Sequence, residues 1–270
     1  MMSFQTRLVT DEQVSFFRNN GYLHYGPLFD QHEIAELREE IQRFIDNKYP
    51  ACYRTDLWTR KGEEQQPLGK ERFLQMVGLY KHSEVILKYA VQRKRGNIVA
   101  ALAGCDTVQL LSDMILYKPP GKGNSRPTKW HQDFPSNPNS LPDITSWMPL
   151  DDVDSTNGCM QYIPGTHALG ELAPPGEEER ETYEKRGIDF SKAVIVPMKA
   201  GEIVFHHSNV LHYASENTSD RPRRVYITRY MPASSVYRWR AEIDHLYGGW
   251  HLKERQGQPF SREEFPLVNP

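Results

Sequence analysis

Arg223-Arg224-Val225-Tyr226-Ile227-Thr228-Arg229-Tyr230 reads as a β-strand, because polar and apolar residues alternate along it. Alternation places Arg223, Val225 and Ile227 on one side and Arg224, Tyr226 and Thr228 on the other. A guanidinium that faces an apolar interior is costly unless an anion pairs with it. An internal Asp or Glu would satisfy Arg223, and so would the carboxylate of a bound dicarboxylic acid gripped by a bidentate fork. Working outward, the chain from Thr107 onward is a series of short apolar segments split by Pro, Gly, Asn and Asp. Strands are expected at Val108 to Tyr117, Ser146 to Leu150, Met160 to Ile163, Ala193 to Pro197, Ile203 to His207 and Arg223 to Met231. Many short strands joined by Gly/Pro turns predict a sandwich or barrel.

The part before Thr107 has a different texture. Asp11 to Asn20 is expected to be a helix, Asn20-Gly21 a turn, and Tyr22 to Tyr25 a strand. Gln31 to Asn47 is the clearest helix, with Ile34, Leu37, Ile41, Phe44 and Ile45 at helical spacing. Ser83 to Leu102 is expected to be helical as well. Ala51 to Lys70 sets Tyr53 and Trp58 among Arg54, Arg60 and Lys61 and reads as a long loop or lid. Glu171 to Ile188 is a charged insertion with some helical character. Tyr237 to Pro270 carries Trp239, Tyr247 and Trp250 and is expected to cover part of the domain. The domain reading is one unit over 1–270, with N-terminal helices in 1–105, a β core in 106–232 and a C-terminal cover in 233–270.

Composition narrows the function. At 270 residues, with 11% aromatic residues, the chain has enough material for a sizeable core. A net charge of -2 argues against a general nucleic-acid binder. The three cysteines, Cys52, Cys105 and Cys159, form no CxxC pair, so neither a zinc ribbon nor a disulfide framework is expected. No run of eighteen apolar residues occurs, so no membrane span is expected. Met1 to Thr10 lacks the apolar stretch of a secretory signal, and Val268-Asn269-Pro270 is not a peroxisomal Ser-Lys-Leu address. The expectation is a cytoplasmic protein acting on a small molecule, with no nucleic-acid or membrane partner; oligomeric state is left open.

The chemistry is concentrated in Trp130-His131-Gln132-Asp133 and in His212, 81 residues further on (212 − 131 = 81). On an extended strand His131 and Asp133 would point the same way. Two histidines and one carboxylate on one face suit non-haem Fe(II) and leave positions open for oxygen and a co-substrate, although Mn, Co or Zn binds the same atoms. A His-x-Asp pair alone is weak, since isolated histidines are usually hydrogen-bonded surface or core groups. His167, His206 and His207 are read as turn or strand residues rather than ligands.

Three separated motifs raise the specificity. Tyr117-Lys118-Pro119-Pro120-Gly121 leads into Trp130-His131-Gln132-Asp133. Gly158-Cys159-Met160 precedes Ile163-Pro164-Gly165-Thr166-His167. Ala200-Gly201-Glu202-Ile203-Val204-Phe205-His206 is followed by His212, Asn217, Ser219, Arg221-Pro222-Arg223-Arg224 and Tyr230. In order and spacing this resembles the phytanoyl-CoA dioxygenase family of Fe(II)- and 2-oxoglutarate-dependent oxygenases, from Asn20-Gly21-Tyr22 to Tyr230. The resemblance implies a double-stranded β-helix (jelly roll, cupin-like) with iron at one end. It implies His131, Asp133 and His212 as ligands, and Arg223, eleven residues after the distal His, as the grip on the far carboxylate of 2-oxoglutarate. Lys118 and Gln132 fall where relatives contact the co-substrate. Trp147, Trp58, Tyr117 and Trp239 are candidates for the substrate pocket, Trp147 being equally readable as core. The implied reaction consumes O2, releases succinate and CO2, and hydroxylates an unactivated C–H bond. No catalytic side chain beyond the metal ligands is required.

The retained Asp133 favours hydroxylation over halogenation, and desaturation, epoxidation or cyclisation are open to the same centre. A metal-dependent hydrolase or a silent binding jelly roll are more distant alternatives. One position departs from the family: relatives commonly carry Ser two residues after the distal His, where this chain has Ala214. Tyr226, Thr228 or Ser215 are the candidates to replace that hydroxyl. The substrate itself is not readable, although the aromatic and cationic residues of the lid and of the tail (Trp239, Arg240, Trp250) suit a flat or acidic molecule.

Overall fold

The computed structural model describes residues 8–46, 53–56, 73–177, 179–244, 246 and 250–269. Two antiparallel sheets face each other. The larger runs β1 (Tyr22–Pro27), β9 (Glu202–His207), β6 (Ile144–Pro149), β11 (Arg223–Pro232), β4 (Val108–Lys118), β3 (Leu74–Val77), β2 (Tyr53–Asp56). The smaller runs β5 (Thr128–His131), β10 (Leu211–Ala214), β7 (Met160–Ile163), β8 (Val194–Val196). Sequence neighbours are dealt between the two sheets, and this is the jelly-roll architecture.

β11 is the central strand and shows why the sequence chooses this fold. It pairs with β4 on one side and β6 on the other. Its two faces are both buried, and they are buried against different things. Val225 and Ile227 join the apolar cluster between the sheets, while Tyr226 and Tyr230 join a second cluster beneath the helices. The parity read from the sequence is therefore the parity of the fold.

The helices α1 (Asp11–Asn20), α2 (Gln31–Ile45), α3 (Glu84–Ala90) and α4 (Arg93–Ala103) add their apolar residues to that second cluster, on the outer face of the large sheet. Thr10 with Gln13 and Asp30 with Glu33 form reciprocal caps that start α1 and α2. Ile34, Leu37, Ile41, Phe44 and Ile45 are buried along one stripe of α2. Gly21 ends α1 in the left-handed conformation (φ 78°), and a Cβ there would lie 2.5 Å from the His167 ring. Only glycine fits both demands.

Several expectations change. Ser83 to Leu102 is not one helix: α3 stops at Ala90, and α4 starts again after Gln92 in extended conformation. Within the expected lid, Tyr53–Asp56 is a strand paired with β3, and residues 57–72, with Trp58, Arg60 and Lys61, lie outside the described residues. The charged insertion contains one short helix, α5 (Arg180–Lys185). After β11 the chain forms α6 (Ala241–Asp244) and α7 (Leu252–Arg255), whose Ile243 and Leu252 pack with Tyr237, Phe260 and Phe265. No helix among the described residues is long and apolar enough to cross a membrane.

Candidate metal centre and co-substrate pocket

β5 and β10 pair so that His131 lies opposite His212. Asp133 joins them by a route the sequence did not indicate. It is not on the strand: β5 ends at His131, and Asp133 has helical backbone angles at the start of a short turn, Phe134–Ser136. Ser208 O accepts from both Asp133 N (2.8 Å) and Phe134 N (3.0 Å), which fixes that turn. Arg238, from the C-terminal cover, donates to Phe134 O and Asn137 O and pairs with Glu171. One nitrogen from each ring and one Asp133 oxygen lie within 4.8 Å of one another, and no other such group of three occurs among the described residues.

The donors are set for a cation. His131 Nδ1 meets Lys129 O at 2.8 Å and His212 Nδ1 meets Val210 O at 3.0 Å. A carbonyl can only accept, so each Nδ1 carries the proton and each Nε2 presents a lone pair. Burial, reinforced by the neighbouring His131 ring, pushes His212 well below the ordinary imidazole range, so it is neutral. Burial works in the same sense on His131, but the hydrogen bond and charge of Asp133 outweigh it and raise its pKa. Burial opposes ionisation of Asp133, yet Arg229 and the adjacent His131 and His206 prevail and hold its carboxyl well below the usual carboxylate range. Arg229 Nη2 is 2.8 Å from Asp133 Oδ1, and Thr145 Oγ1 donates to Oδ2 at 3.3 Å. A cation that takes the place of the proton on His131 would meet two imidazole Nε2 atoms and one ionised carboxylate, the donor set that suits Fe(II).

A cavity of about 200 Å³ extends from this cluster between the sheets. His131 keeps 26% of its side chain exposed and marks its mouth. Met114, Leu116, Trp147, Met160 and Ile227 form apolar wall. Arg223 lines the same cavity and is fully buried. Its Nη1 donates to Leu116 O, while Nε and Nη2 have no hydrogen-bond partner among the described residues. Burial brings its pKa down to about 9, so it remains charged at neutral pH. A buried cation with two unbonded donors facing a cavity fits an anionic ligand.

Other candidates fall elsewhere. Trp147 lines the cavity, 5.9 Å below the Arg223 guanidinium. Lys118 is buried opposite Arg223 in the strand register, but its ammonium is spent on Ala214 O and Ser215 O. Gln132 does not reach the cavity: its amide binds Gly170 O, Asn209 O and Leu172 N, and it braces the loop between the two ligands instead. Tyr117 faces the helices, because neighbours on a strand point to opposite sides. Trp239 packs in the C-terminal cover and donates to Asp244. Trp58 lies outside the described residues.

Arg229, His206 and Thr128 are among the cavity residues that the sequence reading did not propose for the site. Arg229 shares the parity of Arg223 on β11, which is a usable signal. His206 turns inward, its Nδ1 3.0 Å from Tyr162 Oη and its Nε2 3.6 Å from Asp133 Oδ2. Thr128, at the start of β5, gave no signal at all.

A jelly roll with two imidazoles and a carboxylate at one end of its cavity, and a buried arginine along the same cavity, defines the non-haem iron, 2-oxoglutarate-dependent class of oxygenase. Within that class, the chain belongs to the phytanoyl-CoA dioxygenase family, which it matches over residues 17–225. It is 25% identical to phytanoyl-CoA dioxygenase 1 of Oryza sativa subsp. japonica, covering 80% of this chain and 87% of the relative. It is 26% identical to the peroxisomal phytanoyl-CoA dioxygenase of Rattus norvegicus, covering 84% and 69%. Among solved structures it is similar to the non-haem α-ketoglutarate-dependent carbocyclase SnoK of nogalamycin biosynthesis, at a TM-score of 0.77, 26% identity and 96% coverage of both chains. It is equally similar to the epimerase SnoN in complex with Fe3+, α-ketoglutarate and nogalamycin RO, at a TM-score of 0.77, 26% identity and coverage of 95% and 97%.

Proposed function

We propose that this chain oxidises a small-molecule substrate with His131, Asp133 and His212 as the ligands of Fe(II) and Arg223 as the anchor of 2-oxoglutarate. The observation that carries the reading is the convergence on one cavity of two imidazoles and one ionised carboxylate, whose ligand atoms lie within 4.8 Å of one another, and of one buried arginine with unbonded donors. When bound, Fe(II) with 2-oxoglutarate and O2 supplies an oxidant able to attack an unactivated C–H bond, with release of succinate and CO2.

The chain's own residues do the positioning. The Lys129 and Val210 carbonyls hold the two imidazole rings in their metal-binding tautomer. Arg229 and Thr145 each take one oxygen of Asp133 and so limit how it can turn toward a cation. The apolar wall keeps water from the reacting centre, and Arg223 recovers in a charge-assisted fork what its burial costs. The helices of 1–105, the core of 106–232 and the cover of 233–270 act in this reading as one catalytic unit. A cytoplasmic setting belongs to the same proposal, supported by free Cys105 and Cys159.

Hydroxylation is the outcome we favour. Cyclisation or epimerisation by the same centre is the second reading, favoured by the names of the two similar solved structures. The test is succinate release from 2-oxoglutarate with Fe(II), ascorbate and O2 for the wild type, His131→Ala and Arg223→Ala, with 2-oxoglutarate binding followed in parallel by the anaerobic Fe(II) charge-transfer absorption. Turnover abolished in His131→Ala and binding lost in Arg223→Ala is the expected result. A wild type that shows no charge-transfer band with 2-oxoglutarate overturns the reading.

A further inference from the structure

Two tyrosines stand behind the metal centre, and the chemistry described so far uses neither. Strand register puts Tyr162 opposite His212 and Tyr22 opposite His206. The two come from different sheets and meet across the sandwich, their ring centroids 4.7 Å apart and their planes 5° from parallel. Tyr162 is sealed from solvent, with its ring centroid 5.5 Å from that of His206 and 6.3 Å from that of His212. Tyr22 also lines a surface groove of about 540 Å³, beside the exposed side chains of Phe16 and Ile195. Stacked rings therefore run from the ligand histidines to the outside of the protein.

The hydrogen bond at the inner end has a direction. His206 Nε2 lies 3.6 Å from Asp133 Oδ2, and a lone pair facing a carboxylate is repulsive, so Nε2 carries the ring proton. Nδ1 then accepts, and Tyr162 Oη donates to it at 3.0 Å. A phenol that loses an electron becomes strongly acidic and passes its proton along such a bond. Tyr162 is thus placed between a metal centre that can take an electron and an imidazole that can hold a proton.

The cavity wall supplies the need. Met114, Met160 and Trp147 share the cavity with the metal ligands, and thioether and indole side chains are readily damaged by oxidation. Oxidant formed when no substrate is in place meets this wall, and a site that excludes water does not quench it.

We propose that Tyr22 and Tyr162 form an electron relay, which discharges the centre when it reacts with O2 and 2-oxoglutarate in the absence of substrate, at the expense of a small reductant in solution such as ascorbate. This rests on the reading of the metal centre given above. In each pass Tyr162 gives one electron to the centre and its phenolic proton to His206 Nδ1. Tyr22 gives one electron to Tyr162, which takes its proton back from His206, and Tyr22 loses its own proton to water in the groove. The reductant returns one electron and one proton to Tyr22. Two passes, with two protons from water at the cavity mouth, restore Fe(II) and leave one oxygen atom of O2 as water.

The test reads radicals and covalent damage rather than turnover. Protein with Fe(II) and 2-oxoglutarate, free of substrate and ascorbate, is mixed with O2 and frozen for EPR, and ring-deuterated tyrosine assigns the signal. Peptide mass spectrometry reads oxygen added to Met114, Met160 and Trp147. The variants are Tyr162→Phe and Tyr22→Phe, the second of which leaves the Tyr162–His206 hydrogen bond in place. In the wild type a tyrosyl signal forms, and ascorbate added afterwards removes it. In Tyr162→Phe the signal is lost and the wall gains oxygen. In Tyr22→Phe the signal forms at Tyr162 and outlasts ascorbate, because that ring is sealed from solvent.

The relay is overturned, with the metal reading left standing, by a wild type that shows the 2-oxoglutarate charge-transfer band and no tyrosyl signal. A signal that survives Tyr162→Phe, wall oxidation unchanged in that variant, or a Tyr22→Phe signal cleared by ascorbate as in the wild type overturns it equally. If Tyr162→Phe loses the charge-transfer band itself, Tyr22→Phe decides alone. A wild type without the band overturns the metal reading and the relay with it.

Discussion

Arg95 and Arg223 are both sealed within the protein, on opposite faces of the same large sheet, and they do different things there. Arg95, on α4, sits over the Phe29 ring at 4.8 Å and donates to Thr228 Oγ1 at 3.0 Å and Tyr230 Oη at 3.3 Å. Arg223 has a single backbone acceptor and a cavity in front of it. Each has an unbonded Nε and Nη2 among the described residues. An orphaned donor is therefore not in itself a binding site. Arg95 is packed by aromatic and hydroxyl groups that compensate its burial in place, whereas Arg223 faces open volume shared with metal donors. One arginine is compensated in place, and the other is the one we propose for ligand capture.

The sharpest way to break this contrast is to exchange the readouts. Arg223→Gln should raise the dissociation constant of 2-oxoglutarate at least about 100-fold, the scale of losing one partner of a buried charge pair, with little change in Tm. Arg95→Ala leaves a void and two bereft hydroxyls, costing about 3 kcal/mol and lowering Tm by roughly 6–12 °C. Its 2-oxoglutarate affinity should be unchanged. Calorimetry and anaerobic titration on both variants check this, and the contrast fails if either variant moves both quantities.

A second test probes the helix side by pH. Asp113 is buried beneath Tyr80 N and Tyr226 Oη, and burial raises its pKa to about 7. The folded state then keeps its proton where the unfolded chain has lost it. Stability contributed by the protonated group is present below about pH 4 and is lost as pH rises toward 7. At about 1.4 kcal/mol per pKa unit the full effect is on the order of 4 kcal/mol. Asp113→Asn should show a flatter dependence of Tm on pH from 4 to 7 than the wild type, while the pH dependence of 2-oxoglutarate binding is shared by both. Parallel Tm profiles for the two proteins would sink the assignment.

The smallest expected effect sharpens the cavity side. His206 Nε2 is unbonded among the described residues and faces Asp133, whereas Gln92 Oε1 is unbonded outside the cavity lining. His206→Phe should weaken Fe(II) about tenfold, as expected when a neighbour that orients a ligand is lost. Gln92→Ala should leave Fe(II) affinity as it is. Metal titration of the two variants side by side reads the difference.

Parity explains both what the sequence revealed and where it misled. β4, β7, β9 and β11 are long or strongly apolar, and their alternation was visible; β11 even showed which arginine faces inward. β3, β5 and β10 are four residues each and carry no periodicity to detect. Adjacent residues on a strand cannot both face one site, which is why Tyr117 and Lys118 could not share the pocket; Gln132, just past the end of β5, turns to the Gly170, Leu172 and Asn209 backbone instead. Asp133 reached the right place through a turn instead of a strand, so the ligand set was legible while its geometry was not. Thr128 was hidden because its place in the cavity depends on a register shift between two short strands.

The turn that carries Asp133 is latched by Ser208 and by Arg238, both made long after it. Until residue 238 has been made, the nascent chain lacks the last of the contacts that brace the turn carrying the carboxylate beside His131.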